Sequence, residues 1–502
     1  MKIIDCHVHP SAVKNYAEEL ERLLSHMRAH GISGMIASDL GDGWMAYPDM
    51  ETLRRANDRL RDMCIKHAGE LFYLVYINPQ LQNWREELAR HEKSACGIKL
   101  WISLRNPEDR SDLSAALEVI KAAAERDLPV LIHCFERTSG DAGGSVGIDE
   151  MITFAGKVPT CRLIAAHSNG NWRKLIAAAD RVPENIFFDI SGSYPERTMV
   201  RRLVDTFGSE RILYGSDAPG RSFGSQLSKV FSAGLLPEEE ENVLCNNCRR
   251  IFKLPEVNTI YKKALSAFDM QDFDSDNFCF AGKSPYWDHE VSAGDLAALA
   301  LKHNIKTIYA ASLTAVKCEN FLLENSCWLT ETAAYKAIKP LAAVDLRDKA
   351  QTFSQLENIS GFSGVWVSPY LHNWCLSDHA FDWFWQECLN RKINIWINTA
   401  LSDDRFRCSK LDTRLVGSDE IKRFAASAPL NKYVIQGAGG LADLSRSLPE
   451  NFFLEYSKLS DGEYLPGEFF AGNAGCSARL CRGSEYPFRE FDEVDKVLNG
   501  DI

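Results

Sequence analysis

The sequence predicts an α/β protein: a (β/α)8 TIM barrel over residues 1–260, followed over residues 273–502 by a second, degenerate and shorter barrel-like repeat. Three observations carry this expectation. Through the first 250 residues, short β-branched or aromatic runs alternate with longer segments of helical period, the pattern of repeated βα units around a parallel sheet. Eight such runs fit into that length, which is the size of one barrel. Several segments of the second half then repeat the first at a nearly constant offset, the mark of an internal duplication.

The strand candidates, in order, are Lys2–His9, Ile32–Asp39, Leu71–Asn78, Gly97–Trp101, Pro129–Cys134, Arg162–Ser168, Ile186–Ser191 and Ile212–Asp217. Helical segments such as Tyr16–His30, Leu113–Glu125 and Pro237–Phe252 separate or follow them. Asp or Asn stands near several helix starts, where a short side-chain oxygen can cap free backbone amides. After a charged, polar passage at Met270–Asn277 the pattern begins again. Val182–Ser191 (VPENIFFDIS) matches Leu448–Ser457 (LPENFFLEYS) at an offset of 448 − 182 = 266. Gly97–Trp101 aligns with Gly364–Ser368 at 267, and Leu131–Cys134 with Trp396–Thr399 at 265. The last βα units of the second copy read as trimmed.

Bulk composition narrows the function classes. With 502 residues, 45% apolar and 25% charged, the chain has material for two ordinary cores. No apolar run approaches the ~18 to 20 residues of a membrane span, so no membrane partner is expected. An acid at Asp5 interrupts the region where a secretory signal would need its apolar core, which predicts a cytoplasmic protein. Fifteen scattered cysteines fit free thiols in a reducing compartment. The one CxxC, Cys245 and Cys248, reads as buried structure rather than a metal or redox site. A net charge of −12 argues against nucleic acid and leaves a small-molecule substrate as the expected partner.

Barrel chemistry sits at the C-terminal ends of strands. His7 and His9 end strand 1, where alternation points both to one face. His133, His167 and Asp217 end strands 5, 6 and 8. A histidine taken singly is more often a hydrogen-bonded core imidazole, but five such residues at five strand-end positions suit a metal centre. Neutral imidazoles with a carboxylate favour a divalent transition metal, Zn2+ first, with Mn2+ or Fe2+ as alternatives. Zinc can lower the pKa of bound water from 15.7 to ~7. Calcium or magnesium would call for more oxygen ligands.

These residues resemble the amidohydrolase superfamily, in particular its amidohydrolase 2 branch of TIM-barrel metal-dependent hydrolases. The elements that carry the resemblance are Ile4–Pro10 (IDCHVHP), Gly97–Leu100 (GIKL), Leu131–His133, Ala166–Gly170 (AHSNG), and Tyr214–Pro219 (YGSDAP) followed by Asn246–Phe252. The resemblance implies His7, His9 and His133 as metal ligands, and Asp217 as a ligand or as the base that takes a proton from water. It implies that His167 orients the substrate or polarises its carbonyl. Lys99 is ambiguous, because some relatives carboxylate a strand-4 lysine to bridge two metals; one metal is the preferred count. The implied activity is hydrolysis of an amide, lactone or ester-type carbonyl. The alternatives are decarboxylation of a small aromatic acid and a non-catalytic ligand-binding role.

Lys99, Trp101, Arg137 and Arg221 are the substrate-binding candidates, with Arg105, Glu136 and the glycine-rich stretch Ser139–Gly147 nearby in sequence. Serine-hydrolase chemistry finds no support, Ser216 standing one residue before the metal-site aspartate. In the second half Asn398 aligns with His133, Gly437 with His167, Trp366 with Lys99 and, roughly, Ala474 with Asp217. No HxH occurs at 277–282, and His289, His303, His372 and His379 miss the equivalent strand ends. The second copy is therefore expected to be catalytically silent, with packing, covering of the first barrel's mouth or a homo-oligomer interface as its uses. Phe381–Trp385 reads as a buried helix face in preference to an interface.

Overall fold

A computed structural model describes residues 2–10, 15–103, 111–138, 145–192, 196–257, 274–284, 286–401, 411–455 and 480–484. The chain divides into two compact units, Met1–Ser266 and Ala267–Ile502.

In the first unit eight strands follow chain order, each parallel to the next. They are β1 (Ile4–Val8), β2 (Gly34–Ala37), β3 (Leu71–Tyr76), β4 (Gly97–Leu100), β5 (Val130–Ile132), β6 (Leu163–Ala165), β7 (Ile186–Asp189) and β8 (Ile212–Leu213). The barrel closes where Cys6 N donates to Tyr214 O (3.0 Å), Asp217 N to His7 O (2.7 Å) and His9 N to Ala218 O (2.8 Å). Both faces of every strand are covered and their residues are mostly apolar, with Asp5, His7, Lys99 and Asp189 as buried polar exceptions. One face meets the surrounding helices; the other, with Ile4, Ile36, Leu74, Leu131, Ile164 and Leu213, forms an inner cluster joined by Cys245, Cys248, Ile251 and Phe252. Both thiols of the CxxC are thus core residues.

Most strands stop short of the sequence candidates. His133, His167, Ser191 and Asp217 lie just beyond the ladders, and His167 and Asp217 take left-handed backbone (φ 60° and 66°), which no strand can continue. The run Pro237–Phe252 is helical throughout, with one wide turn at 242–246.

The second unit has its own sheet: β9 (Ser275–Ser284), β10 (Trp287–Val291), β11 (Thr307–Ser312), β12 (Ile338–Ala343), β13 (Gly364–Val367), β14 (Ile395–Asn398), β15 (Tyr433–Gln436), β16 (Phe452–Glu455) and β17 (Leu480–Cys481). β10 pairs antiparallel with β9, while β9 and β11 to β17 run parallel in order. Asn277 N donates to Arg482 O (2.8 Å), which brings the last strand back beside the first. The eighth strand position is therefore filled, while residues 456–479 and 485–502, on which the expectation of trimmed final units falls, lie outside the described residues.

Equivalent hydrogen bonds recur within each of the two copies. Asn57 bridges the Tyr76 backbone and Glu87, and Asn325 bridges the Ala343 backbone and Gln355 in the same way (325 − 57 = 268). Asp5 Oδ1 accepts from Ser216 N (3.0 Å) as Asp276 Oδ1 accepts from Ser484 N (3.1 Å). Ser484 is thus the counterpart of Ser216, which makes Glu485, not Ala474, the sequence counterpart of Asp217; both lie outside the described residues. Phe278 and Phe280 occupy the register of His7 and His9, and Phe280 packs against Trp366 at 5.5 Å between ring centres. Phe381, Phe384 and Trp385 are buried, so that aromatic cluster is a helix face turned to the core.

Candidate metal centre and active site

Asp5 organises the end of β1. It is fully buried and accepts from His7 N as well as Ser216 N, both at 3.0 Å, so one carboxyl stitches the first strand to the last. Burial pushes this carboxyl up to about 7, against the hydrogen bonds from Ser216 and His7. The stitch sets His7, His9 and Asp217 around one point. Their ring Nε2 atoms are 2.9 Å apart, and Asp217 Oδ1 lies 4.0 Å from His7 Nε2 and 3.8 Å from His9 Nε2.

The outer ring nitrogens decide what those Nε2 atoms can do. His9 Nδ1 is 2.9 Å from the Ser38 carbonyl, which can only accept, so the ring carries its proton on Nδ1. His7 Nδ1 faces the Asp189 carboxylate at 3.0 Å, which likewise calls for a proton there. Burial, with Lys99 adding, holds both imidazoles well below their ordinary pKa. Two neutral rings therefore aim bare lone pairs at one point beside a carboxylate, a donor set that fits a divalent transition metal. Lys99 Nζ also reaches His7 Nε2 at 3.0 Å. Its amine is fully buried and pushed down to about 8 by burial, with Asp189 and Asp217 pulling the other way.

His167 and His133 form the neighbouring wall. His167 Nε2 is 3.2 Å from His133 Nδ1, and His167 Nδ1 is 3.0 Å from Ser191 Oγ. Burial, with His133 and His7 adding, lowers the His167 pKa well below its usual value. A second group of converging ligand atoms joins His7, His167 and Asp189.

The amidohydrolase family profile matches residues 4–254, which is 251 of the 502 positions. The chain belongs to the amidohydrolase family. Members of this branch are metal-dependent enzymes acting on small molecules. No curated protein matches in sequence. Among solved structures, the chain is similar to 2,6-dihydroxybenzoate decarboxylase from Rhizobium (18% identical, 50% of this chain and 99% of that one, TM-score 0.40). It is also similar to 5-carboxyvanillate decarboxylase from Sphingomonas paucimobilis (14%, 51% and 99%, TM-score 0.39). A third likeness is to a dihydroxybenzoic acid decarboxylase from Polaromonas sp. JS666, solved with manganese and 2-nitroresorcinol (17%, 50% and 97%, TM-score 0.40).

Around this amidohydrolase site the predicted residues divide. His7, His9 and Asp217 form the compact triad, Lys99 touches it, and His133 stands beside His167 instead of inside it. Trp101 packs on His133 at 5.1 Å between ring centres. Arg221 turns Nη1 to the Gly220 carbonyl (2.6 Å), and Arg137 is exposed. Glu136 bonds Lys174 (2.6 Å) and Asn169 (2.8 Å), which anchors its loop. Arg105 and residues 139–144 lie outside the described residues. Gly143–Gly147 has GxSxG spacing, but Ser145 sits in an extended bridge with Ser103, unlike the sharp strand-to-helix turn of a serine nucleophile.

Three residues escaped the sequence reading. Asp189 and Ser191 hold His7 and His167, and Trp44 stands 5.4 Å from His9, ring centre to ring centre, with a left-handed φ of 58°. The signal for Asp189 was present: an acid at the end of an apolar run, at a strand's C-terminal end. Trp44 offered none, since a bulky residue at positive φ is a feature of the folded loop.

Proposed function

We propose that the first barrel is a metal-dependent hydrolase of small molecules carrying an amide, lactone or ester-type carbonyl. The observation that carries the reading is the convergence of two buried imidazoles, each with its outer nitrogen against a carboxylate or a carbonyl, with Asp217 at the barrel mouth. His7, His9 and Asp217 would hold one Zn2+, with Mn2+ or Fe2+ as alternatives, and His133 is the fourth candidate donor. When bound, such an ion acidifies water and polarises a carbonyl. Asp217, 18% exposed at the mouth, takes the proton from the attacking water and returns it to the leaving group. His167 orients the carbonyl; Lys99 supplies a buried positive charge for an anionic substrate group; Trp101 forms a wall, and Arg137 and Arg221 bind groups projecting from the mouth. Residues 273–502 act as a silent copy, their register of His7 and His9 taken by Phe278 and Phe280.

A second reading, decarboxylation of a planar aromatic acid, is favoured by one feature. Trp44, Trp101 and Phe135 pack against His9, His133 and His167, giving the histidines aromatic walls on several sides.

Elemental analysis of the purified chain and of His7→Ala/His9→Ala tests the proposal. About one zinc, manganese or iron per chain, lost in the double variant, is expected. Release of carbon dioxide from aromatic acids, set against hydrolysis of lactones and amides, then separates the two reactions. A wild type that stays metal-free after reconstitution overturns both.

A further inference from the structure

Asp189 lies at the end of β7 with its carboxylate fully buried, and the groups hydrogen-bonded to that carboxylate serve as donors. Oδ1 receives Ser191 N (2.8 Å), His167 N (3.2 Å) and Ser191 Oγ; Oδ2 faces His7 Nδ1 at 3.0 Å. Ser191 Oγ has one proton and three polar neighbours: Asp189 Oδ1, His7 Nδ1 at 2.9 Å and His167 Nδ1 at 3.0 Å. The carboxylate can only accept, so the hydroxyl proton goes to it. The serine oxygen is then left to accept, which requires the proton of His167 on Nδ1. His7 carries its proton on Nδ1 for the same reason.

We propose that Asp189 and Ser191 are a positioning pair that fixes one tautomer on His7 and on His167, clearing Nε2 of both rings together. One buried carboxylate thereby sets the lone pair that His7 offers to a metal and the lone pair that His167 turns toward His133. The proposal rests on the functional reading above for the use of those lone pairs, but not for the tautomers themselves.

The second barrel separates this task from a structural one. Glu455 holds the Asp189 position and is buried, and Gly437 N lies 3.4 Å from its Oε2, as His167 N lies 3.2 Å from Asp189 Oδ1. Gly437 shares the left-handed backbone of His167, φ 70° against 60°. That barrel has neither imidazole, since Phe278 and Gly437 replace His7 and His167. A strand-7 carboxylate therefore supports the backbone turn on its own, and its contact with the two histidines is an addition specific to the first barrel.

Asp189→Asn divides the two tasks chemically. Three donors converge on Oδ1, which keeps the amide oxygen there and turns the NH2 toward His7 Nδ1. The imidazole must then accept at Nδ1 and carry its proton on Nε2, which removes the lone pair. Affinity for Zn2+ alone, measured by chelator competition, is expected to fall about 10- to 100-fold, with the melting temperature of the metal-free variant close to wild type. Unchanged Zn2+ affinity overturns the proposal. Nitrogen-15 NMR of histidine-labelled, metal-free wild type gives a test that needs no variant to bind metal, with His7→Ala and His167→Ala assigning the signals. Both rings are expected as Nδ1–H tautomers, and an Nε2–H signal from either overturns the proposal. A wild type that binds no Zn2+ yet shows both Nδ1–H tautomers would sink the functional reading and leave the positioning pair standing.

Discussion

Glu87→Gln exchanges one buried carboxylate for the residue that the second barrel already uses at that position. Glu87 is fully buried on helix Trp84–His91; its Oε1 accepts from Asn57 Nδ2 (2.9 Å) and its Oε2 from Arg90 Nη1 (2.5 Å), with His91 Nε2 3.3 Å away. Burial pushes the carboxyl up, but the bonds from His91, Asn57 and Arg90 outweigh it and hold it at about 2, against an ordinary 4.5. At 1.36 kcal/mol per unit, that depression corresponds to about 3 kcal/mol of stability at neutral pH. Arg90 is 36% exposed and partly screened by water, so about 2 kcal/mol is the expected effect. Gln355 makes the matching contact with Asn325 at 2.9 Å, so glutamine fits the site and the loss is that of the charge. Because the folded-state value is depressed, the contribution is complete above about 4.5 and lost as pH falls through about 2. Urea unfolding of the first unit's transition at a series of pH values is the assay. The variant should lie about 2 kcal/mol below wild type at pH 7, with the gap closing in that acid window. Equal midpoints at pH 7, or a gap that persists at about pH 2, would refute the reasoning.

Asp217→Asn should lower kcat by about 10²- to 10⁴-fold if the carboxylate carries the proton, and steady-state rates with the metal-loaded variant near wild type condemn that role. Arg482→Met strips the fully buried Asp276 of its ion-pair partner (3.1 Å), so the second unit should lose about 3–5 kcal/mol, read from its own unfolding transition; no loss would mean that Asp276 does not need the charge. Gly437→Ala places a Cβ about 2.2 Å from the Ala400 carbonyl oxygen at a φ of +70°, and a fall in melting temperature of the second unit is expected. A variant as stable as wild type would show that the loop yields freely.

The ligand candidates were legible because strand ends are local events. An apolar run followed by a histidine or an aspartate can be read without knowing what lies across the barrel, and four such runs placed His7 and His9, His133, His167 and Asp217. The duplication was legible for a related reason: strands that fill equivalent layers keep similar residues, so Gly97–Trp101 and Gly364–Ser368 still align. The alignment of Asp217 failed because offsets drift as loops change length. They run from 265 at Leu131–Cys134 to 276 − 5 = 271 at Asp5, and only the matched bonds of Asp5 and Asp276 fixed the last strand.

By itself, then, the sequence determined the barrel, its repeat and the residues carried to the mouth, since hydrophobic periodicity and strand-end chemistry are written within a few neighbouring positions. Only the tertiary structure decided which of those residues meet. Asp189 and His7 are 182 positions apart, and His133 pairs with His167 across adjacent strand ends. Contacts of this kind follow from barrel closure and from which ring nitrogen faces a carboxylate or a carbonyl, and neither leaves a mark on local composition.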